Sequence, residues 1–151
     1  MDLIIALLIL DKSLTYTILI GGTSGCGKST LATLLSTRLG IFKVVSTDTI
    51  REQQRKLSDN PLLWASSYFA GELIHDPSLT QEQLAIRGYE EQNDLLFPFL
   101  HQLISDSCEP MVVEGVHLSV QKIKQLNHSR VISFIIYLSD KVKRKPNSFC
   151  L

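Results

Sequence analysis

Lys28 and Ser29 close a run of ten small and polar residues, Gly21-Gly22-Thr23-Ser24-Gly25-Cys26-Gly27-Lys28-Ser29-Thr30. Within it, Gly22 to Ser29 has the spacing G-x-x-x-x-G-K-S, that of a loop that cradles phosphates. The residue types suit a polyphosphate. Glycines let backbone N–H groups approach phosphate oxygens with no Cβ in the way. A helix starting at the end of the loop adds its positive dipole end. Lys28 can reach β- and γ-phosphates, and the Ser29 hydroxyl can ligate Mg²⁺. The candidate nucleotide-binding residues are therefore Gly22, Thr23, Ser24, Gly25, Cys26, Gly27, Lys28, Ser29 and Thr30, with ATP and Mg²⁺ as the expected cofactors. Cys26 has two readings: a thiol with its pKa lowered by the helix end, or a small filler at a variable position.

Two further polar clusters could work beside this loop. Thr47-Asp48-Thr49-Ile50-Arg51 follows the apolar run 41–46. Asp48 could take a proton from a substrate hydroxyl or hold Mg²⁺; it could equally cap a helix over 49–57. Arg51 and Arg55, four apart on one helix face, could grip an anionic substrate, or simply face solvent. Glu114-Gly115-Val116-His117 follows the apolar run 111–113. An acid ending such a run resembles a Walker B carboxylate, which would help position Mg²⁺ or the attacking group. His117 could touch substrate or serve as a loop hydrogen-bonder.

These clusters need elements to position them. Residues 15–20 are β-branched and aromatic, as a buried strand requires. Leu31, Leu34, Leu35 and Leu39 recur at helical spacing over 29–39, and Gly40 stops that helix. Strands follow at 41–46, 111–113 and 131–138, the last read as strongly buried. Residues 62–73 read as helical, with Trp64, Tyr68 and Phe69 as core. Thr80 and Gln83 have capping-box spacing for a long helix reaching about Ser105, which Pro98 should bend or break. Residues 119–126 form an amphipathic helix. The alternation predicts an α/β fold of three layers with a mostly parallel sheet, the P-loop NTPase architecture. Right-handed crossovers would bring the loop, Asp48 and Glu114 to one sheet edge, where open α/β sheets bind ligands.

Composition narrows the function classes. The chain has 151 residues, 44% hydrophobic and 20% charged, with formal net charge zero. That size supports one domain with a real core, and the charge balance gives no basic field for nucleic acid. The three cysteines, Cys26, Cys108 and Cys150, have no metal-site spacing and suit a reducing compartment. Residues 3–10 are apolar throughout, but a spanning helix needs about 20 residues, and no secretory cleavage pattern follows. A cytoplasmic protein without a membrane partner is the expectation. The domain reading is an apolar extension over 1–14, a kinase-like domain over 15–140 with a helical acceptor-side cap at 62–105, and an atypical tail over 141–151.

Taken in order, GGTSGCGKST, VVSTDTIRE, NPLLWASSYFAGE and VVEGVHLS resemble the 2-phosphoglycerate kinase family, especially its eukaryotic relatives, the plant low-phytic-acid P-loop proteins. The resemblance runs from about residue 16 to about residue 138. It implies Mg²⁺-dependent transfer of the γ-phosphoryl of ATP to a small phosphorylated acid, giving 2,3-bisphosphoglycerate in the archaeal enzymes. For the plant branch it implies a role in inositol phosphate metabolism. Matched by motif, Gly25, Gly27, Lys28, Ser29 and Thr30 would hold nucleotide and metal, while Asp48, Arg51, Glu114 and His117 would lie on the acceptor side. Such kinases usually continue past the fourth strand into an arginine-bearing lid. Here Arg144 is the one lid candidate before the sequence stops at Leu151, so the chain reads as C-terminally truncated. Lid or finger arginines can be worth roughly 10³ to 10⁵ in rate. Beside the kinase reading stands a non-catalytic ATP-binding module. A switch GTPase or motor NTPase is disfavoured, because neither N-K-x-D nor D-x-x-G occurs.

Overall fold

The computed structural model describes residues 15–126 and 130–138. Strands β1 (Thr17–Gly22), β2 (Lys43–Ser46), β3 (Met111–Gly115) and β4 (Val131–Ile136) form one sheet in the order β2-β3-β1-β4. Every pairing in it is parallel. The helices are α1 (Lys28–Leu39), α2 (Thr47–Arg55), α3 (Pro61–Trp64), α4 (Gln81–Ser105) and α5 (Val120–Leu126), with a 3₁₀ turn at Ala70–Leu73.

Strand alternation builds two cores. Ile18, Ile20 and Val112 face one side and pack with Ala32 of α1 and with Ile41. Leu19, Met111 and Val113 face the other, against Ile50, Leu63, Leu96, Leu100 and Ile123 from the remaining helices. This is the expected three-layer α/β arrangement. Each fully buried leucine there contributes roughly 1.5–3 kcal/mol of burial free energy.

Topology creates the crevice. The chain leaves β1 and crosses to β2 on the far side of β3; it leaves β3 and crosses to β4 on the far side of β1. Connections thus diverge between β1 and β3, and a cleft opens beyond their carboxyl ends. In register, Glu114 stands opposite both Ile20 and Ser46, so three strands end level.

Local signals at the helix ends hold. Gly40 caps α1 in the left-handed region, its N–H donating to the Ser36 carbonyl. Thr80 and Gln83 form a reciprocal capping box at α4.

Four expectations need correction. Residues 62–73 are not one helix: α3 ends at Trp64 and Ala65 is extended. The reason is tertiary, since side chains from α2 and α4 take the carbonyls of Leu62, Leu63 and Ala65 that a continuing helix would use. Trp64, Tyr68 and Phe69 are exposed rather than core. Helix α4 continues through Pro98, so the expected break does not occur; the proline forgoes the bond to the Asp94 carbonyl. Strand β4 is half exposed, because among the described residues it pairs on one side only. The expected apolar extension over 1–14, the tail over 141–151 and Arg144 lie outside the described residues.

Candidate active site

The loop between β1 and α1 bends where it has glycine. Gly25 and Gly27 have φ of 76° and 91°, which side chains with a Cβ rarely adopt. At Gly22 a Cβ would stand 2.3 Å from the Ile136 carbonyl oxygen, so only glycine fits beside β4. Gly27 is the N-cap of α1, and no side chain caps the helix. Its first amides therefore face the loop, free for an anion. Lys28 is buried, 7% exposed. Its Nζ donates to the Thr23 carbonyl at 2.7 Å and lies 3.9 Å from Cys26 Sγ. Neither partner is an anion, so a phosphate reaching this ammonium would gain a charge-assisted bond that the loop does not supply.

Glu114 reaches the loop from the end of β3. The Ser29 hydroxyl donates to Glu114 Oε1 at 3.2 Å. Together they form a hydroxyl-carboxylate pair at the helix start, a donor set suited to a hard cation that keeps most of its oxygen ligands from water and phosphate. No cluster of three or more His, Cys, Asp or Glu able to hold a metal occurs among the described residues. At Gly115 a Cβ would come within 1.8 Å of Thr47 Oγ1. Close contact between the ends of β2 and β3 thus depends on a missing side chain.

Helix α2 begins directly at the end of β2. Ser46 is its N-cap and accepts the Asp48 N–H. Capping therefore falls to Ser46, and the Asp48 carboxylate is free for other work. Its side chain is 60% exposed, and Oδ1 lies 3.3 Å from Arg51 Nη2. Arg51 also donates from Nη1 to the Ala65 carbonyl at 3.1 Å. Burial pulls its guanidinium pKa below the ordinary arginine value; Asp48 opposes that and Arg55 adds to it. Arg51 nonetheless remains a cation.

Two cavities meet at Asp48. One, of about 380 Å³, is lined by Gly25, Gly27, Lys28, Ser29, Thr30, Glu114 and Gly115. The other, of about 580 Å³, is lined by Thr23, Arg51, Ser66, Ser67, Tyr68, Tyr89 and Leu118, among others. Ser24, Asp48 and Val116 border both. A bound phosphate chain and an acceptor could thus meet at one carboxylate.

Arg55 and His117 do not reach this junction. Arg55 Nε donates to the Leu63 carbonyl at 2.7 Å, and its guanidinium lies 5.3 Å from the centre of the Trp64 ring. It ties α2 to α3. His117 is fully buried and lines neither cavity. Nδ1 lies 3.2 Å from Thr47 Oγ1, and Nε2 lies 2.8 Å from Gln92 Oε1 and 3.2 Å from Ser67 Oγ. Burial pushes the imidazole pKa down to about 4; Arg51 adds to the depression and Asp48 opposes it.

Thr47, Ser67 and Gln92 were not singled out from the sequence. For Gln92 a signal existed: Gly88, Gln92, Leu96, Leu100 and Ile104 form an i, i+4 row that is buried throughout. A polar residue on the apolar stripe of a helix needs a partner.

The family model described as an AAA domain matches residues 18–144. A 2-phosphoglycerate kinase of Methanocaldococcus jannaschii is 34% identical over 137 residues, covering 85% of this chain and 43% of that protein. Its counterpart from Methanopyrus kandleri is also 34% identical over 137 residues, covering 85% and 41%. An uncharacterized protein of Dictyostelium discoideum is 46% identical over 143 residues, covering 89% of this chain and 17% of its own length. The chain thus spans less than half the length of each of these curated relatives. Among solved structures, a shikimate kinase from Acinetobacter baumannii in complex with shikimate matches with a TM-score of 0.51 at 16% identity, covering 84% of this chain and 59% of that one. A gluconokinase from Sinorhizobium meliloti matches with a TM-score of 0.50 at 18% identity, covering 83% and 59%. Those two likenesses bear on the fold alone, an α/β fold shared with these two proteins. With the loop, the parallel sheet and the family match agreeing, the chain belongs to the AAA domain family of P-loop proteins, and archaeal 2-phosphoglycerate kinases are among its homologues.

Proposed function

We propose that this chain carries the nucleotide and acceptor sites of a small-molecule kinase. It would transfer the γ-phosphoryl of ATP to a hydroxyl of a small phosphorylated metabolite, either 2-phosphoglycerate-like or related to the inositol phosphates. The observation that carries the reading is Asp48, the carboxylate bordering both the phosphate pocket and the acceptor cleft.

In this mechanism Lys28 and the first amides of α1 hold the phosphates. Ser29 and Glu114 would hold Mg²⁺, which would supply neutralising charge for the phosphoryl group. Asp48 takes the proton as the acceptor oxygen bonds to the γ-phosphorus. The bond from that phosphorus to the bridging oxygen breaks, and ADP leaves. Arg51, beside Asp48 on the cleft wall, binds the acceptor's anionic group.

The test supplies purified protein with ATP, Mg²⁺ and 2-phosphoglycerate and follows bisphosphoglycerate by ³¹P NMR. Lys28→Ala and Asp48→Asn should each lose product. Equal background from wild type and both variants rejects the kinase reading. A second reading, ATP binding without transfer, draws on the described cations at the junction: Lys28 on the phosphate side and Arg51 on the acceptor side. Stoichiometric ATP binding without product would favour it.

A further inference from the structure

His117 is fully buried beside the site, and its partners fix which nitrogen bears the proton. The Gln92 amide nitrogen donates to the Leu62 carbonyl and, at 3.0 Å, to the Ala65 carbonyl. Flipping the amide would set its oxygen against two carbonyl oxygens, so Oε1 must be the atom facing the imidazole. An amide oxygen only accepts, and it lies 2.8 Å from Nε2. Nε2 therefore carries the hydrogen. Nδ1 is then an acceptor, and the Thr47 hydroxyl 3.2 Å away donates to it.

A consequence falls on Ser67. Its Oγ lies 3.2 Å from the same Nε2. Since that nitrogen is protonated, Ser67 can accept from it but cannot donate to it. The Ser67 hydroxyl hydrogen is left to point elsewhere, and Ser67 lines the acceptor cleft together with Arg51. The ring thus joins the residue preceding Asp48 to a hydroxyl on the cleft wall, across α2, α4 and the segment after α3.

We propose that His117 is a positioning residue: as the Nε2–H tautomer it anchors Thr47, and hence Asp48, and keeps Ser67 a hydrogen-bond donor to an acceptor oxyanion beside Arg51. This rests on the kinase reading for its catalytic half alone. The oxyanion is a phosphate or carboxylate carried next to the reacting hydroxyl. Neutrality of the ring supports the assignment, as burial and Arg51 disfavour the imidazolium while Asp48 opposes them.

Three measurements test it. Long-range ¹H–¹⁵N NMR at neutral pH should show the His117 ring as a single Nε2–H tautomer, assigned with His117→Gln; an Nδ1–H form overturns the proposal. With Mg²⁺ and a non-hydrolysable ATP analogue filling the loop, inorganic phosphate should bind wild type roughly tenfold more tightly than Ser67→Ala, the range of a hydrogen bond to a charged group. Equal affinities, or no phosphate binding by wild type, overturn it. In turnover, Ser67→Ala should raise the acceptor KM about tenfold with kcat little changed. Thr47→Val should instead lower kcat about tenfold, and Thr47→Ser should restore it. Thr47→Val turning over like wild type overturns the anchoring role. If wild type transfers no phosphoryl group while the tautomer and phosphate results hold, the kinase reading alone fails. Amide hydrogen exchange then decides the anchoring: Thr47→Val should speed exchange at the start of α2 and leave β1 unchanged, and unchanged exchange rejects it.

Discussion

Ser29 and Glu114 are 85 positions apart in the chain, yet the hydroxyl of one donates to the carboxylate of the other at 3.2 Å. The sheet register produces this contact by setting the end of β3 level with the end of β1. We expect Glu114→Gln to keep the shape and remove the charge. Transfer should fall about 10²-fold, as when a preorganised electrostatic group is lost. The Mg²⁺ concentration for half-maximal rate should rise. A Mg²⁺ titration of both proteins checks this; superimposable curves would remove Glu114 from the metal's surroundings.

Asp48 and Arg51 share a contact, whereas Arg55 points to α3. Arg51→Lys should therefore raise the acceptor KM, because a lysine cannot keep the Ala65 carbonyl, Asp48 and an anion in one planar fork. Arg55→Lys should act on stability instead, lowering it by about 1 kcal/mol through loss of the Nε–H bond to the Leu63 carbonyl. Urea unfolding and acceptor kinetics on both variants separate the two arginines. An Arg55→Lys protein with intact stability and a raised acceptor KM would reverse the assignment.

Gly115 leaves no room for a methyl group beside Thr47. Gly115→Ala should cost about 1–3 kcal/mol through overpacking. Adding Thr47→Ala removes Oγ1 and Cγ2, two of the three atoms it strikes, so the double variant should lose less than the sum of the two single losses. Denaturant midpoints of the four proteins provide the cycle. Strict additivity would show that the two residues do not press on each other.

Protonation of His117 should couple folding to pH. Its folded pKa, about 4, is below the ordinary 6.5, so the unfolded chain binds the extra proton first. Stability from this group is therefore full above about pH 6.5 and falls as pH drops toward 4. The loss is on the order of 3 kcal/mol across that window. Wild type should lose about 2 kcal/mol more than His117→Gln between pH 7 and pH 4.5. Parallel unfolding curves would mean that the imidazole is not held neutral.

Much of the site was legible along the chain. Most of the glycine loop is read from its own residues, because left-handed backbone at Gly25 and Gly27 is a local demand, whereas Gly22 answers to β4. The same holds for the Gly40 cap and the Thr80–Gln83 box. Asp48 and Glu114 stood out as candidates because each lies at or just past the end of an apolar run, and parallel strands deliver their carboxyl ends to one edge.

Residues that depend on partners from distant elements were read less well. Arg55 and His117 kept two readings each, because a cation on a helix face or an imidazole after a strand looks the same whether it faces a cleft or a buried hydrogen-bond partner. Trp64, Tyr68 and Phe69 looked like core because hydrophobicity does not state which side of a segment is covered. Strand β4 looked buried for the same reason.

The amino-acid order alone determined the phosphate loop, the alternation of strands and helices, and the two acids at the strand ends, since each follows from neighbours a few residues away. Tertiary structure decided that α3 stops where side chains of α2 and α4 claim its carbonyls, that His117 turns inward, and that Asp48 stands between two cavities. Those outcomes depend on which hydrogen-bonding groups meet across the sheet edge, and that is set only once the strands have found their register.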